Sequence, residues 1–490
     1  MAGIGFELKR LFKKKGVFAG AYAYGYAFIV CCGPMLLGML LLLGVGFIAK
    51  QSGASMHERE LLNAMITVSL LVGLTVSSFF SLVCTRYIAD MLYEEMPEKI
   101  MPSFWGVTGL SLIPGCLFYA IFLHFAGIPM LYRAECFVLC AEVIITWTQM
   151  SYLTALKDYK GIRQAFLTAL VAGFALGCIL VFVLHLPVVA SLMFSMIVSY
   201  FIMVMWYLSL LLSYFNKSEG NSLDFLRYMD KYPTLALNGL FVNVGLFAHL
   251  VMLWLSPQGV QIQGLFYHCP DYDLAAVFAF LSILITTVNY GVSVEVHFYP
   301  CYRDFYALYN DKGTIYDIKL AGQKMCEVLS RELKYAAMRQ LFCSILFIVF
   351  GSVLFQKYPL GFTEESLGIF RVLCIGYGMY AIGNMIMLSL LYFCDNIGAF
   401  FASAAFALGT MLGTLISLFM PSYTLGLGFA LGGFCFVIVG WLRLEYFIQN
   451  LSYHLLSRQP IISYEKHGFF TDVSLAAEKL SKQLGKRKNI

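Results

Sequence analysis

The chain has 490 residues, of which 60% are hydrophobic, 16% aromatic and 12% charged, with a net charge of +5. Soluble chains carry about a quarter charged residues, and at a mean hydropathy of +0.77 too little polar surface remains to cover a globule of this size. A soluble enzyme, a disordered scaffold and a nucleic-acid binder are excluded, and the composition is that of an all-α polytopic membrane protein.

A hydrocarbon core of about 30 Å takes about 20 apolar residues per helix. Such stretches predict spans near 21–49, 61–88, 102–126, 130–156, 164–186 and 188–215. A second set falls near 233–255, 272–298, 337–356, 366–393, 397–420 and 422–448. The expectation is twelve transmembrane helices in two six-helix bundles, 21–215 and 233–448, joined by a cytoplasmic linker at 216–232. An interfacial helix at 1–20 precedes them, and a basic cytoplasmic tail at 449–490 follows. With the N-terminus inside, 28 of the 33 Lys and Arg fall on the inner side and 5 on the outer. That asymmetry is the positive-inside pattern, so both ends are expected in the cytoplasm, their charge facing anionic lipid.

Residues 1–15, MAGIGFELKRLFKKK, put Ile4, Leu8, Leu11 and Phe12 on one helical face and five basic residues on the rest. Such a segment lies in the interface. The apolar run after it is longer than a signal-peptide core and reads as an anchor. It holds Tyr22 and Tyr26 on one face, either interfacial anchors or stacking faces for sugar. Gly33–Pro34 and Pro114–Gly115 loosen the first and third helices.

Ionisable groups inside spans are costly and usually face a cavity. Arg86 ends the second helix, where it either snorkels to headgroups or meets an anionic group on an entering substrate. Glu142 sits two turns into the fourth helix, beyond Arg133 and Glu135. It is a candidate ligand for a coupling cation or a sugar hydroxyl; the alternative is a protonated acid or an ion pair, with Arg371 as partner. Asn238, Asn243 and His249 on the seventh helix, Asn289 on the eighth and Asn384 on the tenth either bond helices together or line a sugar path with Tyr290. Glu295 and His297 end the eighth helix. Asp158 and Asp395, each with Gly three residues on, read as turn formers and caps.

The long cytoplasmic loop at 299–336 repeats Ile318, Met325, Val328, Leu329, Leu333 and Ala336 at helical spacing, an amphipathic helix for the inner leaflet or for a partner. The 14 cysteines lie mostly within spans with no metal spacing and read as packing residues; neither metal nor cofactor is expected.

A weak internal repeat accompanies the six-plus-six plan. Ala64, Leu70, Thr75 and Val83 recur as Ala275, Leu281, Thr286 and Val294, and Asp158, Gly161 and Ala165 as Asp395, Gly398 and Ala402. Even-numbered halves enter the membrane in the same sense. They form parallel repeats about an axis along the membrane normal, the plan of a transporter with a central cavity.

The opening MAGIGFEL, the basic run and the first span AYAYGYAFIVCCGP together resemble the PelG family, in the multidrug/oligosaccharidyl-lipid/polysaccharide flippase superfamily. The resemblance implies export of a hexosamine-rich polysaccharide across the bacterial cytoplasmic membrane. It also implies a cytoplasmic glycosyltransferase (PelF-like) and membrane partners (PelD- and PelE-like). It brings no catalytic motif. The expected function is therefore polysaccharide export between two bundles without covalent chemistry, by alternating access or through a channel-like path, pushed by polymerisation in the cytoplasm. Its rivals are a cation-coupled flippase or drug antiporter of the same superfamily, an integral membrane glycosyltransferase, and an assembly scaffold. The enzyme is disfavoured because the outer loops are short and the largest inner loop is basic and amphipathic.

Overall fold

A computed structural model describes residues 39–154, 159–310, 313–357, 362–457 and 468–488. The interfacial helix at 1–20, Tyr22, Tyr26, Gly33–Pro34 and Asp158 lie outside them.

Eleven helices among the described residues are long and apolar enough to cross a membrane. They are Met56–Tyr93, Pro97–Phe125, Met130–Leu153, Gly161–Val183, Val188–Tyr214, Pro233–Trp254, Pro270–Asn310, Ile315–Lys357, Glu364–Tyr392, Asn396–Ser417 and Leu427–Gln449. Each coincides with one of the expected spans after the first. Of that first one, 21–49, only the end is described, within the helix Met39–Gln51. The chain is an all-α polytopic membrane protein, with one two-stranded antiparallel hairpin among the described residues, Val260–Gln263 with Phe266–His268.

Helices are labelled in chain order: α1 (Met39–Gln51), α2 (Met56–Tyr93), α3 (Ile100–Phe125), α4 (Met130–Leu153), α5 (Tyr159–Cys178), α6 (Val188–Tyr214), α7 (Arg227–Lys231) and α8 (Pro233–Trp254). The second series is α9 (Pro270–Phe280), α10 (Leu284–Ser293), α11 (Tyr299–Asn310), α12 (Ile315–Lys357), α13 (Glu364–Tyr392), α14 (Asn396–Ser417), α15 (Leu427–Gln449), α16 (Leu451–Ser457) and α17 (Phe469–Lys488). Local chemistry sets several starts. Ser55 and Glu58 form a reciprocal capping box on α2, and Thr363 with Ser366 does the same on α13.

Two compact units divide the described residues, one holding 39–243, 259–268 and 468–488, the other 244–258 and 269–457. The division falls inside α8.

In the amino-terminal unit α4 is central, packed on α2, α3 and α6. Buried tyrosines are tied by short hydroxyl bonds, Ser69 to Tyr119 at 2.8 Å and Ser103 to Tyr152 at 3.1 Å. Within hydrocarbon a polar side chain must find its partner in protein, and these pairs do. The hairpin turn sits on the α3–α4 loop: Leu265 N–H donates to Ala126 O at 3.3 Å, and a methyl group on Gly264 (φ +58) would collide with that carbonyl. The segment 449–490, expected as a tail, ends in a docked helix. Asp230 accepts from Thr471 N–H at 2.6 Å and from its hydroxyl at 2.7 Å, capping the start of α17 with a carboxylate from α7. Asn221 donates to Ser474 O at 2.8 Å, and Arg227 meets Glu478 at 3.4 Å.

In the carboxy-terminal unit α14 and α15 approach most closely, because both carry glycine four apart. A methyl group on Gly413 would lie 2.8 Å from Gly428 Cα, and one on Gly409 would lie 3.0 Å from Gly432 Cα. This is small-residue packing of the kind lipid-embedded helices use. At the other end of the same pair Arg443 grips fully buried Asp395 through two bonds, 2.6 and 3.0 Å. Asp395 precedes α14 as expected, but its carboxylate serves this ion pair and makes no side-chain capping bond.

The amphipathic segment expected within 299–336 forms the first part of α12, which continues unbroken for 43 residues into the span, since nothing from Gln323 to Phe350 breaks a helix. The apolar face of Met325, Leu329 and Leu333 is buried within the protein, and Gly322 touches Phe305 of α11 and Leu451 of α16. That face meets its own chain; the exposed large apolar residues of the segment are Ile315, Tyr316, Leu320 and Tyr335.

Candidate functional site

Among the described residues, α4 carries four buried polar side chains with an unpartnered atom, Glu135, Glu142, Thr146 and Gln149. Glu135, Glu142 and Gln149 recur every seven residues, which on a 3.6-residue helix keeps them in one stripe drifting about 20° per step. They are 8%, 8% and 0% exposed. Gln149 Nε2 donates to Val204 O on α6 at 3.0 Å, while its Oε1 has no partner. One carboxyl oxygen of Glu135 and one of Glu142 are likewise buried without a hydrogen bond. Thr146, one turn from Glu142, leaves its hydroxyl unused.

Helix α6 supplies the facing aromatics. Buried Tyr200 is an electrostatic neighbour of Glu142, and Tyr207, seven residues on, has a buried hydroxyl with no partner. The stripe thus holds acceptors at three levels, with the Tyr200 phenol near the middle one, and acceptors are the groups that bind a sugar hydroxyl or a cation. Asn238 of α8 is fully buried with both amide atoms unpartnered, one residue before the place where Gly239 abuts the Ser78 carbonyl of α2.

The remaining expected residues are spent more locally. Arg86 is half-exposed, pairs with Asp90 at 3.1 Å and lies 5.7 Å above the Tyr232 ring. Asn243 donates to Gly239 O at 3.3 Å and Asn289 to Ile285 O at 3.0 Å, each within its own helix. Arg371 donates to Ser352 Oγ at 3.0 Å, and Asn384 is half-buried on α13. Glu295 is buried on the π-helical turn Val294–Phe298, an electrostatic neighbour of Tyr392. Flanking it, Ser293 donates to Glu332 of α12, and His297 lies 3.4 Å from the same carboxylate.

Gln149, Tyr200 and Tyr207 are not among the residues expected from sequence; the seven-residue recurrence from Glu135 marks Gln149, and the same spacing relates Tyr200 to Tyr207. The His249 imidazole bonds Tyr272 OH at 2.7 Å and lies 4.3 Å from the Phe429 ring. Outside the spans, burial holds His268 below the ordinary histidine range although Glu60, 3.8 Å away, pulls it up. Burial pushes the neighbouring Cys269 thiol up to about 11. Every described cysteine is a free thiol. Among the described residues, no group of three or more His, Cys, Asp or Glu could hold a metal ion.

Solved structures share the fold. A MATE transporter in complex with MaL6 has a TM-score of 0.61 at 12% identity, over 88% of this chain and 96% of that one. A MOP-superfamily transporter from Pyrococcus furiosus gives 0.58 at 14%, over 88% and 96%. An outward-facing multidrug resistance MATE family transporter gives 0.58 at 14%, over 92% and 99%. At such identities the likeness is one of fold. No curated protein matches the chain. One family matches it over residues 1–456: PelG, described as "Putative exopolysaccharide Exporter (EPS-E)".

Proposed function

Since the chain belongs to the PelG family, we propose that it exports a hexosamine-rich, Pel-like exopolysaccharide across the bacterial cytoplasmic membrane. Its family and fold are those of transporters, not of catalytic enzymes. The observation that carries the proposal is the family match, which runs through every span. The α4 stripe supports it, because buried acceptors left without partners are costly in hydrocarbon and are repaid when hydroxyls pass. Both termini face the cytoplasm, where a PelF-like glycosyltransferase feeds the chain and PelD- and PelE-like proteins assemble with it. Growth of the polymer supplies the push.

The test is removal of the protein from a polymer-making cell. Export is lost while polymer accumulates in the cytoplasm. Loss of synthesis itself would instead mark an assembly scaffold.

Glu142 favours a second reading, a cation-coupled flippase of lipid-linked oligosaccharide or a drug antiporter, because one of its oxygens is buried without a partner. On that reading a protonophore stops transport at once. On the first it has little effect while sugar-nucleotide supply lasts.

A further inference from the structure

The carboxy-terminal unit carries an apolar groove of about 320 Å3 between α12, α13 and α15. Ala337, Met338 and Leu341 of α12, Ile382 and Ile386 of α13 and Trp441 of α15 line it, and Lys334 of α12 is part of the same lining. On α12, Lys334, Ala337, Met338 and Leu341 share a face by their three- and four-residue spacing.

The level of this groove follows from the two helices that wall it. Toward its N-terminus from Lys334, α12 carries Lys319, Lys324, Glu327, Arg331 and Glu332; Arg339 follows just over one turn on, and from 342 to 354 its exposed residues are apolar, among them Phe342, Ile345, Val349 and Phe350. Helix α15 runs the other way, apolar up to Trp441 and Leu442 and then Arg443 and Glu445. Both helices change character at the groove, and Trp is the side chain enriched where hydrocarbon meets headgroups. The groove therefore lies within the hydrocarbon edge with its cation at headgroup depth.

Two of the neighbouring cations are engaged. Arg443 is held by Asp395 and Arg331 by Glu332 at 3.4 Å. Lys334 is exposed and forms no ion pair among the described residues. A flexible ammonium beside an open apolar groove matches a phosphate joined to an acyl chain, and lysine near a membrane surface favours anionic lipid.

We propose that this groove binds an anionic phospholipid, one acyl chain lying between Trp441 and Met338 and the phosphate meeting Lys334. The site is distinct from the α4 stripe and independent of what the protein transports.

Native mass spectrometry of the full chain, released from nanodiscs of equal phosphatidylglycerol and phosphatidylcholine, tests it. The wild type is expected to retain one phosphatidylglycerol with about fivefold preference, the ratio that about 1 kcal/mol for one lysine corresponds to. Lys334→Gln brings the preference near parity, and Ala337→Trp, which fills the groove, removes retention of either lipid. Arg339→Gln, an exposed cation outside the groove, changes neither. Equal retention by wild type and Lys334→Gln overturns the proposal, as does an Arg339→Gln loss as large as that of Lys334→Gln. Lys334 is a surface residue, so its variant keeps the test open if Ala337→Trp fails to fold.

Discussion

Glu142 illustrates how a single side chain separates stability from function. A carboxyl in mid-membrane costs about 3 kcal/mol on insertion scales, and here one of its oxygens gets nothing back from the protein. Glu142→Leu is therefore expected to melt at or above the wild-type temperature in detergent, yet to export less polymer, about fivefold for one lost hydrogen bond of about 1 kcal/mol. Glu142→Gln keeps an acceptor and is expected to export within about twofold of wild type. Abolished export by the Gln variant, with assembly intact, would favour the cation-coupled reading. At His268 the sign follows from burial: its pKa is lowered in the folded state, so the unfolded chain takes the proton first. Its contribution is whole above the ordinary value near 6.5 and shrinks as pH falls below it. The melting temperature of wild type should thus drop more between pH 8 and pH 5 than that of His268→Asn.

At the scale of helices, α14 and α15 are held at both ends by different physics. Glycines let the backbones touch at Gly413 and Gly428. Gly413→Leu must force them apart, an overpacking cost of about 1–3 kcal/mol, read as a lower melting temperature. At the other end, Arg443→Met takes the guanidinium away from a fully buried carboxylate, a loss on the order of 3 kcal/mol. Adding Asp395→Asn should return part of it; a double variant no more stable than Arg443→Met would argue against the pair as the cause. The glycines stood in plain view in the sequence as four-residue spacings, whereas Asp395 and Arg443 are 48 positions apart and share no local pattern. Helix α12 teaches the converse: its amphipathic face was legible, but which surface it meets depended on where α11 and α16 lie.

Across the whole chain, the distribution of basic residues makes a topological prediction. A reporter active only outside the cytoplasm should be active when fused at Gln258 and silent at Lys217 or Asn450; the opposite pattern would invert the proposed orientation. Span positions were readable because hydrocarbon demands about 20 apolar residues wherever a helix crosses, a condition each segment meets by itself. All eleven spans described after residue 56 answer to it. Partnership is a different kind of fact. That Asp230 caps α17, that Arg371 bonds Ser352, and that Gln149 reaches Val204 while Glu142 goes without all depend on residues far away in the chain. Hydropathy adds up along a segment and survives any rearrangement of its neighbours. A hydrogen bond exists only within about 3 Å, a distance that packing alone sets.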